Sequence, residues 1–254
     1  MSAPLQRRKI IVTRDEKGAK RFSKKIAQYG GKAIEVPLLS ISYDENEENK
    51  RLLQELDPYK WIFFTSANGV EGFFTLLQLY EISFSTLKNI QIAVVGHKTE
   101  MKLKKYGFSA DFMPTIYNAD TMADEFLSSY PDPGKVLLVR GNLSRNILPE
   151  EFVKATISYD CIQVYKTMIK RANRDRLNKA LQEDYDFITF SSPSAVDAFM
   201  TLSDYPINKP CVCIGTTTEQ RAKEVGFMKC LSPDSEFTIE AMIQCMIDYI
   251  NNKE

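Results

Sequence analysis

The stretch FFTSANGV, residues 63–70, has a counterpart in TFSSPSAV, residues 189–196. In each copy an apolar run ends in a serine-containing turn, and a helical pattern follows. A second pair supports the repeat: Ala93–Gly96 matches Val212–Gly215, and the distance from this glycine to the next Gly-Phe pair is the same in both copies. Two unrelated αβ segments would rarely keep such spacing, so the sequence predicts an internal duplication.

The order of the repeated motifs predicts that one domain is inserted into the other. A weaker third pair joins IVTR, residues 11–14, to LVRG, residues 138–141, so that the motif order is Arg, Ser, Gly, Arg, Ser, Gly. Two similar domains fit this order if the first opens the chain, is interrupted by the second and is completed at the C-terminus. We therefore predict a discontinuous first domain made of residues 1–35 and 169–254. The inserted second domain comprises residues 43–158, and the linker strands between the two domains lie at 36–42 and 159–168.

Alternating strand and helix patterns predict parallel sheets that are covered by helices on both faces. Apolar runs such as 61–64 and 187–190 are each followed by a helical pattern. Two segments, 33–41 and 159–167, break this alternation and have the pattern of extended strands where the chain crosses between the domains. The expected fold class is α/β, with two similar domains, each a parallel sheet flanked by helices, joined by a two-stranded β ladder, and the second domain inserted in the first.

Composition and charge argue against several classes of protein. The 254 residues are 44% hydrophobic and carry no formal net charge, which disfavours a general nucleic-acid binder. No run approaches the roughly 20 apolar residues of a membrane span, and the N-terminus has no signal-peptide pattern, so we expect a cytoplasmic protein. Five cysteines without a CxxC motif, and one histidine, give little basis for a disulfide framework or a metal site. The common nucleotide, nucleophile and zinc motifs are absent from the sequence.

Hydroxyl side chains lie at the predicted strand-to-helix junctions of both halves. In open parallel sheets, ligands bind beyond the carboxyl ends of the strands, where helix N-termini present unpaired N–H groups and a partial positive charge. Serine and threonine are also ordinary helix N-caps. Their occurrence in both halves nevertheless favours an oxygen-rich cleft that holds an anionic ligand. The residues concerned are Ser66, Thr99, Ser192, Thr216 and Thr217.

Together with several further motifs, this set resembles the uroporphyrinogen III synthase family, in the same order over nearly the whole chain. Besides the serine turns and glycine loops, the motifs are Thr13-Arg14, Arg140-Gly141 and VYKT at 164–167. The resemblance implies two α/β domains with a cleft between them. It also implies a lyase of haem biosynthesis that cyclises the linear tetrapyrrole hydroxymethylbilane to uroporphyrinogen III, with inversion of ring D and loss of water. The family uses no cofactor or metal.

The resemblance further implies roles for individual residues. A polycarboxylate substrate suits helix N-termini, hydroxyls and backbone N–H groups better than a strongly basic pocket. Tyr165 matches a tyrosine in the family's returning linker strand and is the candidate proton donor to the leaving hydroxyl, although a tyrosine at a half-buried strand position could instead serve packing. The substrate-binding candidates added to the junction residues are Thr13, Arg14, Arg140, Gly141 and Asn142.

Two interpretations without chemistry stay open at this stage. A hinged pair of domains could be a non-catalytic binding protein for an anionic tetrapyrrole, or a sensing module for one, although the sequence shows no attached output domain. As partners we expect the small-molecule substrate, with no nucleic acid and no membrane. We also expect a monomer, and we consider a transient contact with the enzyme that precedes it in the pathway.

Overall fold

The computed structural model describes residues 3–252, which fall into two compact units with one five-stranded sheet each. The first unit lies within Met1–Ser40 and Met168–Glu254, and the second within Ile41–Thr167. The described strands are β1 (Lys9–Val12), β2 (Lys32–Glu35), β3 (Leu39–Tyr43), β4 (Trp61–Phe64), β5 (Gln91–Val94), β6 (Val136–Gly141), β7 (Tyr159–Ile169), β8 (Phe187–Phe190), β9 (Cys211–Cys213) and β10 (Cys230–Leu231). The described helices are α1 (Glu16–Gln28), α2 (Glu47–Gln54), α3 (Ala67–Leu79), α4 (His97–Lys104), α5 (Ala119–Ser129), α6 (Ile147–Lys154), α7 (Arg174–Gln182), α8 (Pro193–Leu202), α9 (Thr216–Glu224) and α10 (Ile239–Asn251).

The two sheets have corresponding strand orders. The first is β10-β9-β8-β1-β2, and the second, read from its far edge, is β5-β4-β6-β7-β3. All neighbours in the first sheet pair in parallel, as do β5, β4, β6 and β7 in the second. An isolated bridge from Ala93 to Phe112 stands where β10 stands in the first sheet. The strands of the sequence repeat thus occupy matching places, and the predicted α/β fold class is confirmed.

The first sheet is completed only by the C-terminal part of the chain. β1 lies in its interior, between β2 and β8, and Ile10 pairs with Phe187 while Val12 pairs with Thr189. The chain therefore supplies β1 and β2, forms the whole second sheet, and returns to add β8, β9 and β10. This is the order of segments that the repeated motifs predicted.

The predicted crossing strand at 33–41 is wrong, because the structure divides it into two strands. β2 ends and β3 begins on either side of Val36, Pro37 and Leu38. Pro37 has no N–H group to donate to a ladder. The N–H groups of Val36 and Leu38 donate to carbonyls at the end of β1, over 2.8 and 3.2 Å. The segment between β2 and β3 is thus hydrogen-bonded to the first sheet up to the residue before β3.

The returning strand β7 is a full member of the second sheet. It pairs in parallel with β6 on one side, and β3 lies on its other side. Asp44 donates its N–H to the Val164 carbonyl over 3.0 Å, and Lys170 donates to the Leu38 carbonyl over 2.8 Å, so β3 and β7 run in opposite directions. The two-stranded ladder is therefore the outer pair of a five-stranded sheet, because both crossing segments find neighbours in it.

Helices cover both faces of each sheet, and a separate apolar cluster fills each face. In the second unit, Trp61 and Phe63 pack with Phe126 of α5, and the rings of Phe63 and Phe126 are 4.6 Å apart. On the other face, Phe64 packs with Phe73 of α3. Strands buried on both faces explain the uninterrupted apolar runs of the sequence. Among residues 3–252, none of the helices has the length and apolar composition that crossing a bilayer requires.

We propose boundaries near 41 and 167 for the inserted domain, and we predict that fragment 41–167 folds alone with higher stability than fragment 43–158. The shorter fragment lacks β7, whose Ile162 and Val164 are 1% and 0% exposed. Burying such a side chain contributes roughly 1.5–3 kcal/mol. Urea unfolding followed by circular dichroism should give the shorter fragment a free energy of unfolding lower by about 3 kcal/mol or more. Equal stabilities would contradict the role given to β7.

Candidate active site

The carboxyl edge of the second sheet, where its parallel strands end, brings Ser66 and Tyr165 together. Ser66 caps α3, and its Oγ accepts a hydrogen bond from the Gly69 N–H over 2.9 Å. The same Oγ lies 3.2 Å from the hydroxyl of Tyr165, and either atom can be the donor. The phenol thus lies beside a helix N-terminus, whose partial positive charge favours negative charge on a nearby oxygen.

A β-bulge and a glycine set the position of the Tyr165 ring. The register of β6 and β7 shifts between Arg140 and Gly141, so that Gly141 pairs with Tyr165. A bulge of this kind redirects a side chain relative to the regular ladder. A Cβ atom on Gly141 would lie 2.3 Å from Cζ of Tyr165. The phenol ring therefore occupies the space that any other side chain at position 141 would need.

Two predicted binding residues, Arg140 and Asn142, have structural partners in the loop after β6. The Arg140 guanidinium donates through Nη2 to the Ser144 carbonyl over 2.9 Å and to Asn146 Oδ1 over 2.7 Å. The Asn142 amide accepts from the Thr167 N–H over 2.8 Å and donates to its carbonyl over 3.1 Å. These bonds hold the loop and continue the β6–β7 ladder past the bulge. We therefore assign the two side chains to positioning rather than to ligand contact.

The carboxyl edge of the first sheet contains the corresponding serine cap. Ser192 caps α8, and its Oγ accepts from the Ala195 N–H over 3.2 Å and lies 2.9 Å from the Ser194 hydroxyl. Thr13 differs from the prediction. It is 1% exposed and donates to the Thr189 carbonyl over 2.6 Å. Because its hydroxyl ties β1 to β8 inside the sheet, Thr13 serves strand pairing.

Arg14 keeps an unsatisfied nitrogen, unlike Arg140. The pairing registers of the two sheets place both arginines at corresponding positions after β1 and within β6. The Nε atom of Arg14 is buried and has no hydrogen-bond partner among the described residues. Burial lowers the pKa of this guanidinium, against the opposing effect of the Asp15 carboxylate. A buried donor without an acceptor costs roughly 1–3 kcal/mol, which a bound carboxylate would offset.

The threonine in each glycine loop does not cap its helix. The N-cap residues of α4 and α9 are Gly96 and Gly215, and neither makes a side-chain cap hydrogen bond. Thr99 follows its glycine by three positions, and the residue at the same place in the other unit is Thr218. Both threonines are 3% exposed. Thr99 therefore corresponds to Thr218 and not to the predicted binding residues Thr216 and Thr217, and it is a buried residue of the first helical turn.

Thr216 and Thr217 remain accessible at the start of α9. They are its first two residues, and both are exposed. The first N–H groups of a helix have no partner within it, and the Gly215 cap has no side chain to cover them. Their N–H groups and hydroxyls can therefore reach an anionic group at this edge of the first sheet.

Two exposed aromatic residues that no sequence motif singles out border the same glycines. A Cβ on Gly96 would lie 2.7 Å from the Tyr117 ring, and a Cβ on Gly215 would lie 2.8 Å from the Phe237 ring. Tyr117 directly precedes the N-cap residue of α5, and Phe237 directly precedes the N-cap residue of α10. The sequence signal for this pair is spacing, because the two rings follow their glycines by almost the same number of residues.

Comparison with known proteins agrees with this geometry. The family described as Uroporphyrinogen-III synthase HemD matches residues 20–244. The chain belongs to the uroporphyrinogen-III synthase family. The resemblance recognised from the motifs is thereby confirmed, and so is the class of enzyme it implied, a cyclising synthase of tetrapyrrole biosynthesis.

Individual relatives extend the family match to most of the chain. The "Porphyrin biosynthesis protein HemD" of Ruminiclostridium josui is 27% identical over 252 residues, which are 98% of this chain, but the chain spans only 50% of that relative. The uroporphyrinogen-III synthase of Chlorobaculum parvum is 29% identical over 244 residues, covering 89% of this chain and 92% of the relative.

Solved structures of the family share the fold. The uroporphyrinogen-III synthetase of Helicobacter pylori superposes with a TM-score of 0.68 at 21% identity, over 95% of this chain and 99% of its own. A mutant uroporphyrinogen III synthase of Thermus thermophilus gives 0.69 at 14% identity, over 97% and 100%. At these identities the similarity concerns the fold alone.

The two corresponding arginines should differ in their effect on stability. Arg140→Met removes hydrogen bonds that hold the loop after β6, so it should lower the free energy of unfolding by about 1–2 kcal/mol. Arg14→Met keeps much of the side-chain volume and removes a buried donor without a partner, so stability should be unchanged or higher. Urea unfolding of both variants measures the difference. A larger loss for Arg14→Met would show that Arg14 has a structural role.

Proposed function

We propose that this chain converts hydroxymethylbilane into uroporphyrinogen III, with Tyr165 as the proton donor. Membership of the uroporphyrinogen-III synthase family supports the reaction. The observation that carries the proposed mechanism is the contact of Tyr165 with Ser66, 3.2 Å long, at the N-terminus of α3. It places an ionisable hydroxyl at the carboxyl edge of a parallel sheet, where ligands of such folds bind.

The reaction asks the protein mainly for positioning. Loss of hydroxide from the bilane leaves an azafulvene cation, which a pyrrole carbon can attack without any nucleophilic side chain. The inverted isomer forms if the substituted carbon of the last ring attacks first and gives a spiro intermediate. Holding that ring in place is then the principal catalytic contribution. A proton for the departing hydroxyl is the one chemical role left for a side chain.

The surroundings of Tyr165 suit a proton donor. Ser66 Oγ already accepts the Gly69 N–H over 2.9 Å, so its own hydrogen is available for the Tyr165 oxygen. If Ser66 donates to that oxygen, the phenolic O–H can point to the substrate. After proton transfer, the same hydrogen bond and the N-terminus of α3 stabilise the phenolate.

We propose that carboxylates of the substrate bind at the carboxyl edge of each sheet. In the first unit the groups are the buried, unpaired Nε of Arg14, the Ser192 hydroxyl, and the N–H groups and hydroxyls of Thr216 and Thr217. In the second unit the predicted binding residue Gly141 is retained as a proposal, and its own N–H donates to Ser144 Oγ over 3.0 Å. A single neutral hydrogen bond contributes about 0.5–1.5 kcal/mol. No one of these groups except Arg14 should therefore dominate binding.

The other predictions from the sequence are retained as proposals. They are a cytoplasmic location, action as a monomer without cofactor, no nucleic-acid or membrane partner, and only a transient contact with the preceding enzyme. The competing function is a protein that binds or senses a tetrapyrrole and leaves it unchanged. Incubation with hydroxymethylbilane separates the two, because only the enzyme gives the inverted isomer faster than a protein-free control.

Tyr165→Phe should slow formation of uroporphyrinogen III more than Ser66→Ala, Ser192→Ala or Thr217→Ala does. The substitution keeps the ring and its packing and removes only the proton donor, whose contribution is typically about 10²–10⁴-fold in rate. Isomer separation of the oxidised product after timed incubation measures the rate. An unchanged rate would assign Tyr165 to packing.

Gly141→Ala is the matched test of ring position, since the added methyl must displace the Tyr165 ring. A misplacement of about 1 Å can lower the rate roughly 10²-fold. Gly72→Ala is the control: its Cβ would lie 3.0 Å from Val164, the neighbour of Tyr165 in β7. It should lower the melting temperature and leave the rate largely intact. Equal rate losses in the two variants would show that the rate depends on strand packing and not on the position of the Tyr165 ring.

Arg14→Met should raise the KM for hydroxymethylbilane roughly 10- to 100-fold and change kcat little. The reason is the loss of a hydrogen bond between charged groups, worth about 1.5–3 kcal/mol. Arg140→Met is the control, because its guanidinium is already held by the loop. Steady-state kinetics of folded variants decide the matter. An equal rise in KM for Arg140→Met would contradict the proposal that Arg14 binds the substrate while Arg140 only holds its loop.

A further inference from the structure

The glycine of each repeated loop lies under an exposed aromatic ring. Tyr117 is 53% exposed and Phe237 is 46% exposed, although both are large and largely apolar. A Cβ on Gly96 would come within 2.7 Å of the first ring, and a Cβ on Gly215 within 2.8 Å of the second. One side of each ring therefore packs on a helix N-cap, while much of the ring is open to solvent.

Backbone conformation does not explain why these two positions are glycine. The φ angle of Gly96 is 167° and that of Gly215 is −177°. Such extended values are open to any residue, in contrast to the left-handed region that favours glycine. The remaining reason is space, because a side chain at either position would displace the ring above it. The repeated glycines thus serve to keep the two aromatic rings in place.

The same local design holds both rings. Tyr117 directly precedes Asn118, which caps α5 by accepting the N–H of its third residue over 2.7 Å. Phe237 directly precedes Thr238, which caps α10 in the same way over 3.1 Å. On the Tyr117 side, the His97 ring adds an edge contact at 5.1 Å between centroids. The two units therefore share one arrangement of ring and helix cap.

The chemistry of this arrangement points to a flat ring that carries carboxylates. Each aromatic ring lies at the carboxyl edge of its sheet, beside the N-terminus of α4 or α9. An aromatic ring attracts another ring by stacking or edge contact, and the adjacent N–H groups attract an anion. A pyrrole with acid side chains has both features in one group, whereas a simple polycarboxylate would use only the N–H groups.

We propose that Tyr117 and Phe237 are positioning residues, each of which stacks against a pyrrole ring of the tetrapyrrole while that ring's carboxylates bind at the adjacent helix N-terminus. This inference rests on the proposed function. Each fixed ring would hold one pyrrole of the flexible bilane and so restrict how that part of the substrate can turn. The contribution is to binding and to isomer choice, not to proton transfer.

The test is the kinetics of Tyr117→Ala and Phe237→Ala with hydroxymethylbilane. Each substitution should raise KM by roughly tenfold and increase the share of the symmetric isomer in the product. Tyr117→Phe and Phe237→Tyr, which keep the ring, should restore wild-type values. Tyr205→Ala is the matched control, because Tyr205 is a similarly exposed aromatic, 38%, in the loop between α8 and β9.

A double-mutant cycle makes the test specific to the glycine. Gly96→Ala should raise KM as Tyr117→Ala does, and the double variant should be no worse than either, since both changes remove the same ring contact. Tyr117→Leu and Phe237→Leu replace the alanine variants if those fail to fold. A lowered melting temperature with unchanged KM and isomer ratio would overturn the proposal. Absence of turnover in the wild type would instead overturn the proposed function itself.

Discussion

The pairing of β1 with β8 determines how the rest of the chain is arranged. These two strands are neighbours in one sheet although the whole second unit lies between them in sequence. Such a distant pairing requires the intervening chain to form a unit that closes on itself. β3 and β7 meet this requirement, because they run side by side in opposite directions and both belong to the second sheet. The insertion and the ladder thus have one cause.

The two units share one plan, but corresponding side chains have different partners in each. Both have a serine cap, a glycine-capped helix and an arginine at the carboxyl edge. Within residues 3–252, only the second unit has a tyrosine at a bulge, and its Arg140 holds the loop beside that tyrosine. In the first unit, Arg14 keeps a donor that no described residue accepts. The two units therefore have similar carboxyl edges, and the bulge in the second one lies beside the tyrosine that we propose as the proton donor.

The sequence was enough to predict the buried strands but not the partners of polar side chains. Strands 61–64 and 187–190 were predicted with their observed bounds, because burial on both faces leaves an uninterrupted apolar run. The partners of Arg140 and Asn142 were missed, since they depend on a register shift that no residue pattern signals. A polar side chain at a strand end has many partners in reach. Which one it takes is decided by the three-dimensional path of the loop.

The glycines of the repeated loops show how a sequence signal can be correct and its reason hidden. They marked the duplication because their spacing is the same in both halves. In the structure they are extended, so the backbone alone would accept other residues at Gly96 and Gly215. What both halves retain is contact with Tyr117 or Phe237, residues far along the chain that differ in type. The repeated glycine therefore preserves space for an aromatic ring and does not preserve a special loop conformation. Because that ring is about half exposed in both units, it presents apolar surface that a ligand can cover.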